Sequence, residues 1–415
     1  MGEEPHVFFF EMRMRYAIVL PQLEGVVFVF NHPRLHDNRF KAGESLKFPS
    51  LKIKNIHVPH PIVQGGMGVG VSWDNLAGNV AKNGCIGIVS GVCTGYRYPD
   101  FVKTLQGRPM SPANLHHRES LIRIVHRARE IAGGNGAVGV NILYCITDYA
   151  RVVRDAIDAG ADLIISGAGI PLRLPEYAGD SGIALVPIVS SARVLGIICK
   201  SWLHRYNRLP DAVIMEGPKS GGHQGYTFEQ CEDPEYTLEK IFPQVLEEAR
   251  KWGDFPVIPA GGIWDRADIE KFIRMGAAGV QMATRFIGTY ECDAPAEFKQ
   301  VLMNSRKQDI FLMKSPVGYP ARGILTPLHN AIKQGSSPKI QCISNCISVC
   351  NHGEKSKQVG FCIADRLGDA ARGSVDTGLF FSGSNGWRIK KLVHVKDLIN
   401  DLTLDVPVPV EAASC

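Results

Sequence analysis

Eight short apolar runs, separated by longer amphipathic stretches, constrain the fold of this chain more than any other feature. Each run is about five to eight residues long and rich in Val and Ile, which is typical of strands buried on both faces. Most of the runs end in Gly or Ser. They cover residues 60–65, 86–91, 137–143, 163–167, 185–190, 212–217, 256–261 and 279–286.

Helical patterns fill most of the intervals between these runs. They cover residues 73–82, 115–131, 150–158, 192–204, 234–251 and 265–275, while the interval 172–180 is short and weakly patterned. Eight strands that alternate with helices predict a parallel (β/α)₈ TIM barrel, and a doubly wound open sheet is the alternative. The glycines favour the barrel because they fall at the carboxyl ends of the strands, where barrel enzymes place their ligands.

The chain divides into three predicted parts. Residues 1–50 carry β-prone apolar runs without one period and are predicted to be an N-terminal extension. Residues 51–325 hold the barrel pattern. Residues 326–415 break the pattern and are predicted to form a C-terminal cap that carries a cluster of cysteines.

Composition and charge exclude several classes of protein. The 415 residues are 45% hydrophobic and 21% charged, so the chain can bury a large core. The net charge of +5 is spread along the chain, which argues against a nucleic-acid partner. No apolar run reaches the ~18 residues of a membrane span, and the start does not resemble a signal peptide. We therefore expect a soluble cytoplasmic protein that acts on a small molecule. The sequence does not decide between a monomer and a homodimer.

The densest chemical signal follows the sixth run. Residues 216–225 read Glu-Gly-Pro-Lys-Ser-Gly-Gly-His-Gln-Gly, and glycines such as Gly221 and Gly222 let the backbone approach a flat or charged ligand. His223 lies among them, and an imidazole titrates near neutral pH. His223 is therefore predicted to be a proton acceptor on the rim. The alternative is that it only bonds loop carbonyls.

The turns after the last two strands indicate a phosphate site. Gly261 and Gly262 end the seventh run, and Gln281, Met282, Ala283 and Thr284 fall in the eighth. In barrels the loops after strands seven and eight commonly bind phosphate through backbone N–H groups. A tight strand-to-helix turn is the alternative.

Two further rim positions suit the edge of a planar ring system. Gly65, Gly66 and Met67 follow the first strand, and Asn141 lies towards the end of the third. A packed rim without a ligand explains these residues equally well.

Four cysteines near the C terminus are spaced for a common site. Cys342, Cys346 and Cys350 would share one face of a helix, and Cys362 follows. Four thiolates can hold zinc or an iron–sulfur centre. The alternative is a seam of small apolar thiols on a helix.

Taken together, residues 61–68, 140–141, 216–225, 260–263 and 279–286 resemble the nitronate monooxygenase (2-nitropropane dioxygenase) family. That family includes flavin-dependent enoyl-acyl carrier protein reductases and quinone reductases. The resemblance covers roughly residues 50 to 402, and Gly-Gly-His-x-Gly is its most specific part. It implies an FMN-bearing barrel in which His223 is the catalytic base. The flavin contacts it implies are Gly65, Gly66, Met67, Asn141, Glu216, Gly221, Gly222, Gly261, Gly262, Gln281, Met282, Ala283 and Thr284.

The resemblance also has two departures. Glu216 and Lys219 stand where well-known nitronate oxidisers carry Gln and Glu, and both changes resemble the enoyl-reductase-like branch. The leading hypothesis is FMN-dependent oxidation of alkyl nitronates with O₂. The alternatives are NAD(P)H-dependent reduction of an enoyl thioester or quinone, and a non-catalytic flavin-binding barrel.

Overall fold

The computed structural model of the chain describes residues 46–97, 117–336, 340, 342 and 345–404. The predicted N-terminal extension lies almost wholly outside the described residues. The domain limits near residues 50 and 325 stay a prediction.

Eight parallel strands close into a barrel, which confirms the predicted (β/α)₈ fold. Strands β1 Leu51–Ile53, β2 Ile56–Val58 and β9 Gly222–His223 lie outside the barrel. The barrel strands, in chain order, are β3 Ile62–Gln64, β4 Ile86–Ser90, β5 Ala137–Leu143, β6 Leu163–Gly167, β7 Ala184–Val189, β8 Val213–Glu216, β10 Val257–Ala260 and β11 Val280–Met282. The barrel closes where β11 pairs with β3, with Met282 beside Gln64.

Helices follow most of the barrel strands and cover the outside. They are α1 Asp74–Lys82, α2 Arg118–Ala132, α3 Tyr149–Asp158, α4 Leu174–Ala178, α5 Ala192–Tyr206, α6 Phe228–Glu232, α7 Leu238–Trp252, α8 Arg266–Arg274 and α9 Thr284–Ile287. The predicted eighth run was too long, because the chain turns into the short helix α9 soon after β11 ends. Within the described ranges, no helix is long and apolar enough to cross a membrane.

A short antiparallel hairpin lies at the amino ends of the barrel strands. Its strands are β1 Leu51–Ile53 and β2 Ile56–Val58, in which apolar side chains alternate with exposed ones. The apolar ones pack in one cluster with Ile86 and Ala137, the first residues of β4 and β5. The hairpin therefore closes the end of the barrel opposite the predicted ligand site.

A second, three-stranded antiparallel sheet joins the chain after the barrel to the loop after β8. Its strands are β9 Gly222–His223, β12 Ile310–Lys314 and β13 Pro320–Ile324. The remaining helices are α10 Ala296–Asn304, α11 Pro327–Lys333, α12 Glu354–Val359, α13 Ile363–Ala371 and α14 Val395–Thr403. The segment that follows the barrel thus builds part of the predicted rim.

One buried carboxylate from a distant part of the chain caps helix α1. Asp293 accepts hydrogen bonds from the backbone N–H groups of Trp73 at 2.8 Å and Leu76 at 3.1 Å. Helix N-termini leave such donors without partners inside the helix. Asp293 therefore attaches α1 to the segment that follows β11.

We expect Asp293→Ala to lower the free energy of unfolding by about 2 kcal/mol, because it leaves several helix N–H groups without an acceptor. Urea unfolding followed by circular dichroism measures this. Asp180→Ala, at an exposed position, is the control. Equal stability of the two variants would show that Asp293 does not stabilise α1.

Candidate active site

One cavity opens at the carboxyl ends of the barrel strands. The structure brings all of the predicted flavin-contact residues and His223 to its walls. Residues from β3, β5, β8, β10 and β11 face each other across it, although they are far apart in the chain. The predicted rim residues thus form one site, while their roles toward a ligand stay predictions.

Two glycines, Gly65 and Gly66, form the β3 side of the cavity, so that backbone without side chains faces it. Gln64 is fully buried; its Nε2 donates to the Gly65 carbonyl at 2.6 Å and its Oε1 accepts from the Ile88 N–H at 3.0 Å. A Cβ added to Gly66 would lie 2.4 Å from the Cβ of Asn141. Only a glycine therefore lets this turn lie so close to β5, and Gln64 holds the turn in place.

The loop that carries His223 is fixed by pairing with β13. Ala321 pairs with His223 and Arg322 with Gly222, and the Gln224 N–H donates to the Pro320 carbonyl at 2.8 Å. A glycine-rich loop has many accessible conformations, and a strand pairing removes most of them. The imidazole is therefore held at a defined place in the cavity wall.

Ser315 is the nearest polar partner that the structure shows for His223. The ring Nε2 and the Ser315 Oγ share a hydrogen bond of 2.7 Å, and Ser315 is buried. The ring of Phe381 meets the imidazole edge-on, with centroids 5.4 Å apart. Burial lowers the pKa of His223 to about 4. The imidazole is therefore neutral at physiological pH and can accept a proton.

Glu216 lies at the end of β8 and lines the same cavity. The Tyr226 hydroxyl donates to the main-chain carbonyl of Glu216, not to its carboxyl group. Burial raises the pKa of Glu216 to about 7, since the charged form loses its hydration. The cavity thus combines a neutral imidazole with a carboxyl group that is partly protonated near neutral pH.

At the end of the cavity formed by β10 and β11, Gly261 and Gly262 form a glycine cradle without side chains. Gly261 and Gly262 have φ values of +97° and +86°, which favour glycine. The Gly383 N–H donates to Thr284 Oγ1 at 2.9 Å, and Asn385 Nδ2 donates to the Gly262 carbonyl at 2.8 Å. The segment 379–385 therefore forms part of the cavity wall.

Two contributors to the site were not among the predicted residues. Ser315 lies in a Pro/Gly loop, and Tyr319 of the same loop is 49% exposed and does not line the cavity. Gly383 lies in the segment 379–385 described above. In both cases the signal was a loop of small residues, which gives no indication of what it meets across the fold.

The residues present fit a flavin mononucleotide. Gln281 Oε1 is buried without a hydrogen-bond partner among the described residues, in a side chain that lines the cavity. A buried acceptor of this kind is costly unless a ligand supplies a donor. The glycine walls leave room for a flat ring, and the turns after β10 and β11 occupy the position where barrels commonly bind phosphate.

The predicted metal site is not supported. Cys350 lies in a 3₁₀ turn with its Sγ 3.2 Å from Ser356 Oγ, Cys362 precedes α13, and Cys346 packs against the cluster around Cys93. Cys342 lies beside Gly353. The described part of this segment is not the α-helix that the spacing required, so the thiols do not share one face. Within the described ranges, no group of three or more His, Cys, Asp or Glu is arranged to hold a metal ion.

Comparison with known proteins agrees with this architecture. A family model described as nitronate monooxygenase matches residues 49–405. A relative from Rhodococcus jostii (strain RHA1), named (3aS,4S,5R,7aS)-5-hydroxy-7a-methyl-1-oxo-octahydro-1H-indene-4-carboxyl-CoA dehydrogenase, is 27% identical over 286 residues, or 68% of this chain and 67% of that protein. A probable nitronate monooxygenase of Staphylococcus aureus (strain Newman) is 32% identical over 115 residues, or 28% of this chain and 31% of its own length.

Solved structures share the fold. FabK from Thermotoga maritima superposes with a TM-score of 0.62 at 24% identity, covering 83% of this chain and 92% of that one. A nitroalkane oxidase from Streptomyces ansochromogenes gives a TM-score of 0.60 at 20% identity, covering 83% and 95%. The fold and the family model together define a (β/α)₈ barrel oxidoreductase with a cavity at the carboxyl ends of its strands. The chain belongs to the nitronate monooxygenase family.

The lowered pKa of His223 predicts a pH-dependent stability. In the unfolded chain an imidazole takes up its proton below about pH 6.5, whereas folded His223 does so only near pH 4. Stability is therefore fully present above pH 6.5 and is lost as the pH falls towards 4, by about 3 kcal/mol.

His223→Gln should remove this loss. The measurement is the free energy of urea unfolding between about pH 4 and 7.5, at equal flavin content. His57→Gln, at an exposed position of β2, is the control. If the wild-type and His223→Gln curves run parallel, His223 is not held neutral in the folded protein.

Proposed function

We propose that this chain is an FMN-dependent oxidoreductase in which His223 is the proton acceptor beside the flavin. The observation that carries the proposal is one cavity that unites a neutral, positioned imidazole with the glycine cradle of β10 and β11. The orphan acceptor on Gln281 and the family membership support the cofactor.

The flavin would supply the redox chemistry, accepting and passing on electrons. Gly65, Gly66, Met67 and Asn141 would line it on one side of the barrel. Glu216, Gly221 and Gly222 would do so on another. Its phosphate would be held by the rim turns that contain Gly261, Gly262, Gln281, Met282, Ala283 and Thr284.

His223 and Ser315 would together handle the proton. With Nε2–H donating to Ser315 Oγ, the other ring nitrogen keeps its lone pair and accepts a proton from the substrate carbon. Ser315 Oγ also accepts from the Val317 N–H at 3.4 Å, so its lone pairs face two donors. Ser315 would therefore orient the ring and stabilise the imidazolium that forms.

Alkyl nitronates, oxidised with O₂, are the first substrate class we propose, on the strength of the family and of the named Staphylococcus relative. A nitronate forms when the carbon next to a nitro group loses its proton, so the base would act on the neutral nitroalkane, and a neutral histidine in an apolar pocket suits removal of that proton. Phe381, Val92 and Leu143 give the cavity such walls.

A second candidate is the NAD(P)H-dependent reduction of an enoyl thioester or a quinone. The observation that favours it is the Rhodococcus relative, whose name specifies a carboxyl-CoA thioester and which matches over 68% of this chain. This reduction adds a hydride and a proton across the double bond, so His223 would then help to bind or protonate the thioester enolate. If the chain binds flavin but neither nitronates nor NAD(P)H reduce it, the protein would instead be a non-catalytic flavin-binding barrel.

We expect His223→Ala to retain flavin but to lower turnover at least ~100-fold, because the proton acceptor is lost. Steady-state oxygen consumption with nitroethane, and anaerobic bleaching by NADH and NADPH followed by enoyl-thioester reduction, measure the two candidate activities. Ethyl nitronate has already lost the proton, so its oxidation should suffer much less in the variant. Flavin absorbance reports cofactor retention. Near-normal turnover with bound flavin would show that His223 is not the base.

We expect Ser315→Ala to lower kcat about tenfold and to move the acidic limb of the pH–rate profile to still lower pH, because the protonated imidazole loses its hydrogen bond. Ser315→Thr keeps the hydroxyl and should restore both. A lowered kcat with an unmoved pH profile would mean that Ser315 acts through packing alone.

A further inference from the structure

Glu216 lines the cavity, but its carboxyl group has no part in the proton transfer proposed for His223 and Ser315. Glu216 ends β8, and no described residue forms an ion pair with its carboxyl group or donates a hydrogen bond to it. A charged carboxylate in an apolar site is costly without a cation or donors. This carboxyl group therefore affects which other charges the cavity can hold.

Among the described residues around Glu216, none offers a positive charge that would compensate an ionised carboxylate. The strands that flank β8, β7 and β10, carry only apolar side chains and proline. Among the described residues of the cavity wall, the other titratable side chains are His223, which is neutral, and Lys219. Lys219 is exposed, and its side-chain carbons lie against Gly262, at the phosphate end.

Tyr226 is the remaining titratable group in contact with Glu216. Its hydroxyl donates to two main-chain carbonyls, those of Ser190 at 2.9 Å and Glu216 at 2.8 Å. Its single proton is therefore committed to the backbone, and burial raises its pKa further from neutral. The phenol neither donates to the Glu216 carboxyl group nor neutralises it.

We propose that Glu216 is a specificity-determining residue whose unpaired carboxyl group makes the cavity prefer uncharged carbonyl ligands, such as acyl thioesters, over anionic nitronates. This inference rests on the proposed function, since it concerns ligands of the same cavity, and of the two candidate substrate classes it favours the thioester over the nitronate. A protonated carboxyl group can donate a hydrogen bond to a carbonyl oxygen, as a carboxylic acid kept neutral in an apolar site does. An ionised one repels a second anion.

The preference depends on pH in a defined direction. An anion binds only when Glu216 is protonated, because two negative charges in an apolar cavity repel each other. Since burial raises the pKa of Glu216 to about 7, anion affinity falls about tenfold per pH unit above that value. An uncharged carbonyl ligand loses at most one hydrogen bond over the same range, a much smaller effect.

The experiment measures equilibrium binding to the FMN-loaded protein by calorimetry between about pH 7 and pH 9. Crotonate, a planar anion with two oxygens, stands in for a nitronate, and the N-acetylcysteamine thioester of crotonic acid is the uncharged probe.

For the wild type, the ratio of the crotonate Kd to the thioester Kd should rise roughly tenfold or more across this range. Glu216→Gln, which keeps the shape and removes the charge, should make the ratio flat. Glu247→Gln, at an exposed position on α7, should behave as the wild type.

A flat ratio in the wild type, an unchanged slope in Glu216→Gln, or a failure of both probes to bind overturns the proposal. Infrared difference spectra of wild type minus Glu216→Gln supply a second readout. The carbonyl band of a protonated carboxyl group should be present at about pH 6, fall to about half near pH 7 and be nearly lost by about pH 9. Its absence at pH 6 also overturns the proposal. Absence of bound FMN, by contrast, refutes the proposed function and leaves the infrared titration to decide the state of Glu216.

Discussion

The pairing between β9 and β13 is the interaction on which the candidate site depends. His223 belongs to a glycine-rich loop that has no fixed conformation of its own, and its partner Ala321 lies about a hundred residues further along the chain. The same connection brings Ser315, just before β13, to 2.7 Å from the imidazole. The barrel thus supplies the walls of the cavity, and the segment after the barrel fixes its central side chain.

Burial then acts on two groups of the cavity in opposite directions. Desolvation penalises the charged form of each, so the pKa of His223 falls to about 4 and that of Glu216 rises to about 7. Near neutral pH the imidazole is therefore neutral and Glu216 is partly protonated, while Gly261 and Gly262 mark the end at which we propose that the phosphate binds. A cofactor with an uncharged ring and a phosphate tail matches this proposed arrangement.

The barrel and its rim residues could be predicted from the sequence because their signals are local. Each strand is a short apolar run, each rim turn follows directly, and closure of the barrel brings the turns together without further information. Ser315 and Gly383 could not be placed in this way, since their roles arise from contacts across the fold. The same limit explains the cysteines: equal spacing indicated a helix face, but the described backbone around Cys350 is a 3₁₀ turn and not an α-helix. The eighth strand was predicted too long because α9 continues its apolar run.

The most direct test of this account is the flavin content of the purified protein. Absorbance of the native protein, followed by release and quantification of the flavin, measures how much FMN each chain binds. The account predicts one FMN per chain, or its uptake by colourless protein when FMN is added. A protein that remains colourless in the presence of excess FMN would contradict the assignment of the cavity and the function derived from it.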